Sequence, residues 1–149
     1  MAIRHVEDLI AFQFAAEFKG AVYDLIEGAP RAQRSFKFRE QLEDSASGIE
    51  RAIGEGFGRR RPAEFAQFLR YGLASLVEAA VCLRDGISRK YFVEADCETA
   101  FTWERRCRVA LDNLLASQQR RAQKLKGPNA APRPAAADKA RPRRRSARD

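Results

Sequence analysis

Three consecutive arginines stand between two apolar segments of the sequence and are the residues best suited to contact an anionic partner. Arg59, Arg60 and Arg61 follow a glycine-rich stretch and precede Pro62. The guanidinium group matches the bidentate geometry of phosphate, so the cluster favours contact with nucleic-acid phosphates. Two other interpretations stay open. One is an ion pair with Glu55, whose charge is badly placed near the negative end of a helix dipole, and the other is simple exposure to solvent.

Two further basic clusters lie nearer the C-terminus. They consist of Arg120, Arg121, Lys124 and Lys126, and of Arg143, Arg144 and Arg145. Residues 127–149 hold seven basic and two acidic residues, a net charge of +5 out of +8 for the whole chain, which leaves +3 for residues 1–126. Both clusters predict salt-dependent, nonspecific binding to RNA or DNA phosphates. For the first cluster, stabilisation of a helix end is an equally open interpretation.

The sequence contains no recognisable catalytic or metal-binding set. Cys82, Cys97 and Cys107 are odd in number and lack the paired spacing of a zinc site, so we expect reduced thiols that pack as small hydrophobes. His5 is the only histidine. We therefore expect no metal, no cofactor and no enzymatic activity. The glycines of residues 54–58 follow a helical pattern rather than a strand, which argues against a nucleotide-binding loop.

Hydropathy gives no indication of a membrane protein. No run of 18 or more apolar residues occurs, and the first residues lack the apolar core of a signal peptide. We therefore expect a cytoplasmic protein that does not contact a membrane.

Apolar residues recur at helical spacing in four segments separated by short connections. The segments run from about residue 6 to 27, from 38 to 53, from 62 to 87, and from 93 toward 126. The pattern predicts an all-α, antiparallel, up-down-up-down four-helix bundle over residues 1–126. Residues 127–149 are rich in proline, alanine and arginine, and we expect a disordered tail there. In the first helix the predicted core stripe includes Ile10, and Gly54, Gly56 and Gly58 are expected to make the turn that ends the second helix.

The third predicted helix is apolar over more than one face. Its core stripe leaves out Ala74, Val77 and Val81, which lie on another side of the helix. A peripheral helix of a small bundle does not need this second apolar surface. We expect these three residues to form an interface between subunits.

Two stretches resemble the four helix bundle protein family, whose members are encoded within intervening sequences of 23S ribosomal RNA. They are residues 49–59, IERAIGEGFGR, and residues 64–78, EFAQFLRYGLASLVE. The resemblance extends over roughly residues 4–120. Ala52 stands where the family usually has asparagine. A related branch comprises the accessory variability determinant proteins of diversity-generating retroelements.

The resemblance implies a four-helix bundle that assembles as a homopentamer, and, from the retroelement branch, binding to nucleic acid and a reverse transcriptase. Together with the charge, this favours a non-enzymatic, homo-oligomeric nucleic-acid-binding adaptor, an accessory to a reverse transcriptase or another nucleic-acid enzyme. The alternative is a structural or protein-interaction module whose oligomer organises a protein partner. The modest charge of residues 1–126 keeps that alternative open.

Overall fold

The computed structural model describes residues 2–127, which are helical apart from short connections and contain no strand. The helices are α1 (Ile10–Glu27), α2 (Pro30–Arg34), α3 (Phe36–Arg59), α4 (Pro62–Ser88) and α5 (Glu98–Lys126). Single 3₁₀ turns, Val6–Asp8 and Glu94–Cys97, precede α1 and α5. The all-α prediction is confirmed. The predicted disordered tail lies outside the described residues, apart from Gly127.

The four long helices form a bundle with a closed order of neighbours. α1 packs on α3, α3 on α4, α4 on α5, and α5 on α1. Short connections make successive long helices antiparallel, as the up-down-up-down prediction requires. One end of the bundle therefore collects the start of α1, the turn between α3 and α4, and the end of α5. We call this the basic end, because Arg60 and Arg61 of the α3–α4 turn and Arg121 of α5 lie there.

The core stripe of α3 is the best predicted element. Its six predicted core residues, Phe38, Leu42, Ala46, Ile49, Ala52 and Ile53, are all buried. They recur every three or four residues and so share one face of the helix. Helical periodicity alone is enough to predict which apolar residues of α3 lie in the core.

The predicted stripe of α1 is wrong at its N-terminal end. Ile10 is 60% exposed, whereas Ala11 and Ala15 are buried, and α1 begins at Ile10 rather than at Val6. The Asp8 carboxylate accepts a hydrogen bond from the His5 N–H at 3.1 Å, which stabilises a separate 3₁₀ turn there. Because α1 is apolar on several sides, the positions of its large apolar side chains do not identify the face that packs on the core. The small residues Ala11 and Ala15 lie on that face.

The glycine turn is also wrong. Gly54, Gly56 and Gly58 all lie inside α3, which continues to Arg59. A Cβ atom at Gly56 would lie 2.6 Å from Cδ2 of Phe65, whereas Cβ atoms at Gly54 and Gly58 would meet nothing within 4 Å. Gly56 therefore allows α3 to approach α4 closely. The helix tolerates this glycine because glycine in a helix costs only about 1 kcal/mol relative to alanine.

The three cysteines are free and buried, as the prediction of small packed thiols requires.

α4 is the one described helix that is long and apolar enough, by length and composition, to cross a membrane. Its most apolar stretch is 44% buried within the bundle, and a core helix passes the same test.

Candidate nucleic-acid interface

Arginines from three separate segments line one cleft at the basic end. Arg4 comes from the segment before α1, Arg60 and Arg61 from the turn between α3 and α4, and Arg121 from the end of α5. The cleft has a volume of about 710 Å³. The structure thus joins two arginine groups that lie far apart in the sequence and adds Arg4, which sequence reasoning missed.

The backbone of the α3–α4 turn explains how neighbouring arginines reach the cleft. Arg60 ends α3 in the left-handed conformation, with φ of 58°, and its N–H donates to the Phe57 carbonyl at 3.3 Å. Arg61 is extended, and its carbonyl accepts a hydrogen bond from the Phe65 N–H in α4 at 2.8 Å. Pro62 supplies the fixed φ that suits the first residue of a helix.

Arg59 differs from the two arginines that follow it. Its Nη2 lies 2.8 Å from Oε1 of Glu55 one helical turn earlier, and its guanidinium carbon lies 5.2 Å from the centre of the Phe68 ring. The hydrogen bond and charge of Glu55 raise the pKa of Arg59. The ion-pair interpretation therefore describes Arg59, which does not line the cleft.

Most of the positive charge in the cleft is not neutralised by a neighbour. Arg61 pairs with Glu64 at 3.7 Å, but both side chains are exposed, so this pair contributes little stability. Arg4, Arg60 and Arg121 form no ion pair with any residue among 2–127. Three guanidinium groups are therefore available to an anion entering the cleft.

The lining of the cleft combines the polar groups of its arginines with an apolar part. Phe57 and Phe65 contact each other edge to face, with ring centres 6.2 Å apart, and Leu114 lies nearby on α5. Gln118 also lines the cleft although only 6% of its surface is exposed. Gln118 was not predicted from the sequence. Its position one helical turn after Leu114, on the buried side of α5, is the signal that could have identified it.

The other predicted basic residues have different positions. Arg120, Lys124 and Lys126 are exposed on the last turns of α5 and are not part of the cleft lining. Arg143, Arg144 and Arg145 lie outside the described residues. Their contribution to nucleic-acid binding stays a prediction.

The predicted interface on α4 lies on the outside of the bundle. Ala74 is exposed, Val77 is 48% exposed and Val81 is 58% exposed, and Tyr71 on the same helix is 51% exposed. These residues are therefore not required for the core. That another subunit covers them stays a prediction.

The fold and the site define an all-α helical bundle with an arginine-lined cleft at one end. The family model of the 23S rRNA-intervening sequence protein matches residues 7–107, which are 101 of the 149 residues. The chain belongs to this family, as the resemblance in α3 and α4 indicated. A search of curated proteins finds no match. Arg60 and Arg61 fall inside the matched residues, whereas Arg4, Gln118 and Arg121 fall outside them.

Proposed function

We propose that this protein is a non-enzymatic, homo-oligomeric adaptor of the cytoplasm that binds RNA or DNA through its phosphates at the basic end. The observation that carries the proposal is the convergence of Arg4, Arg60 and Arg121, unpaired with any described residue, on one cleft. Guanidinium groups bind phosphates bidentately, and displacement of counterions from the nucleic acid supplies affinity.

The position of the tail supports the same proposal. Gly127, the last described residue, follows the end of α5, so residues 127–149 and their net charge of +5 are attached at the basic end. A polyanion bound in the cleft therefore lies close to the start of the basic tail. The two would act on one ligand, with the tail supplying attraction and the cleft supplying a fixed position.

Self-association through α4 would make the adaptor multivalent. Several copies of one cleft on a single oligomer bind a long nucleic acid more tightly than one copy does. The exposed Val77 and Val81 support this assembly, and the family resemblance suggests five subunits and recruitment of a reverse transcriptase or another nucleic-acid enzyme.

The exposed apolar side of α4 also favours the second candidate, a structural or protein-interaction module. In that case Ala74, Val77 and Val81 hold the oligomer that organises a protein partner, and the arginines of the basic end keep the protein soluble.

Binding of fluorescent RNA and DNA at several salt concentrations separates the two candidates. Full-length protein should be compared with a chain that ends at Lys126. The proposal expects both to bind, with an affinity that falls steeply as salt rises. Loss of all binding with the tail would favour the interaction module and direct the search to protein partners.

A further inference from the structure

We infer that the cleft at the basic end accommodates one unpaired nucleotide, so that the nucleic acid recognised there is single-stranded. The inference rests on the proposed function and narrows its ligand class. In this arrangement the base enters the cleft and the flanking phosphates meet the arginines. RNA and DNA share the chemistry that is required.

The size and the walls of the cleft suit a base better than a phosphate alone. A volume of about 710 Å³ falls within the range of about 300–1,000 Å³ typical of small-molecule sites. Ile3, Leu9, Phe57, Phe65 and Leu114 contribute apolar surface. An isolated phosphate gains nothing from such walls, whereas the faces of a base pack well against aromatic and aliphatic side chains.

Gln118 adds a hydrogen-bonding amide to the apolar part of the cleft lining. Only 6% of the surface of Gln118 is exposed, and its side chain forms no hydrogen bond to another residue among 2–127. No fully buried side-chain nitrogen or oxygen in the described part lacks a partner, so the amide atoms of Gln118 keep some exposed surface, and Gln118 is one of the residues that line the cleft. An amide both donates and accepts, as recognition of a base edge requires.

Insertion of a base favours a single strand over a duplex for an energetic reason. In a duplex the bases are paired and stacked, and extruding one costs a few kcal/mol. A single strand avoids most of that cost. The arginines of the rim can then bind the phosphates on either side of the inserted nucleotide, and their guanidinium planes can stack on neighbouring bases.

The test compares a short single strand with a duplex of the same sequence, each in RNA and DNA form, binding to the full-length protein. The matched variants are Gln118→Leu, which keeps the volume but removes the amide, and Gln119→Leu on the exposed side of the same helix. We expect tighter binding of the single strand by wild type. Gln118→Leu should weaken that binding about tenfold, the effect of one hydrogen bond, while duplex binding and the Gln119→Leu variant stay unchanged.

Equal, salt-dependent binding of both forms, with no effect of Gln118→Leu, would overturn the inference and leave the proposed function intact. Absence of binding to any nucleic acid would contradict both the inference and the proposed function.

A second measurement uses the wild-type protein and so remains informative if Gln118→Leu does not fold. A fluorescent base analogue within the strand should brighten on binding, because the inserted base leaves its stacked neighbours. Unchanged emission in the bound state would contradict insertion.

Discussion

At the scale of single residues, an arginine's neighbours decide what it can bind. Arg59 and Arg60 are adjacent in the sequence, yet Arg59 is held by Glu55 and Phe68, whereas Arg60 ends a helix and lines the cleft. The sequence predicted the cluster and its possible ion pair. It did not divide the roles, because that division depends on where α3 ends.

The buried cysteines allow a prediction about alkaline pH. Burial raises the pKa of Cys97 to about 11 and that of Cys107 to about 12. Unfolded cysteine has a pKa of about 8.5. When the pKa of a thiol is higher in the folded than in the unfolded protein, its contribution to the free energy of unfolding is fully present below the unfolded pKa. That contribution is lost as pH rises through the pKa of the folded protein. The free energy of unfolding should therefore fall between about pH 9 and 12.

Urea unfolding at a series of pH values measures this fall, which should be smaller in Cys107→Ala. A thiol-labelling reagent should leave both cysteines unmodified in native protein at mildly alkaline pH and label them in urea. Rapid labelling of the native protein would contradict the assigned burial.

At the scale of elements, helical periodicity predicted the four long helices but not all of their boundaries. The six apolar core residues of α3 were predicted correctly because its apolar stripe is narrow, whereas the buried Ser45 and Gly56 were not predicted. The predicted core stripe of α1 was wrong at its N-terminal end, where Ile10 instead of Ala11 was placed in the core, because α1 is apolar on several sides. The end of α3 was misplaced because glycine permits both a turn and a close helix contact, and only the position of Phe65 on α4 distinguishes them.

The contact between α3 and α4 predicts opposite effects of one substitution at neighbouring glycines. Gly56→Ala should destabilise the bundle by about 1–3 kcal/mol, because the added Cβ overlaps Phe65 and Phe68. Gly54→Ala and Gly58→Ala should stabilise it by about 0.5–1 kcal/mol, since they improve helix propensity in open space. Urea denaturation of the three variants gives the comparison. Equal effects at all three positions would show that packing on α4 does not explain Gly56.

At the scale of the whole molecule, the topology brings together arginines that lie far apart in the sequence. The up-down-up-down order carries the α3–α4 turn and the end of α5 to the same end, where Arg60 and Arg121 line one cleft. The sequence predicted both arginines as phosphate contacts. It did not predict Arg4 or Gln118, because their role depends on which segments meet at that end.

Assembly is testable through the exposed side of α4. Val81→Asp should convert the oligomer to monomer while the helical content stays unchanged, because a charge in an apolar interface is costly and the same charge on a free surface is not. Val93→Asp is the matched control, since Val93 is 65% exposed on the connection after α4. Sedimentation reports the mass of each. An oligomer that survives Val81→Asp would remove α4 from the interface.

The most direct test of the account is the salt dependence of nucleic-acid binding by full-length Arg60→Ala/Arg121→Ala. Its control is Arg34→Ala/Lys37→Ala, which removes two exposed charges at the opposite end of the bundle. We predict weaker binding and a slope of log affinity against log salt that is shallower by about 1.4 for a single strand, as expected for two lost phosphate contacts. The control should keep the wild-type slope. Equal slopes in both variants would contradict nucleic-acid binding at the basic end.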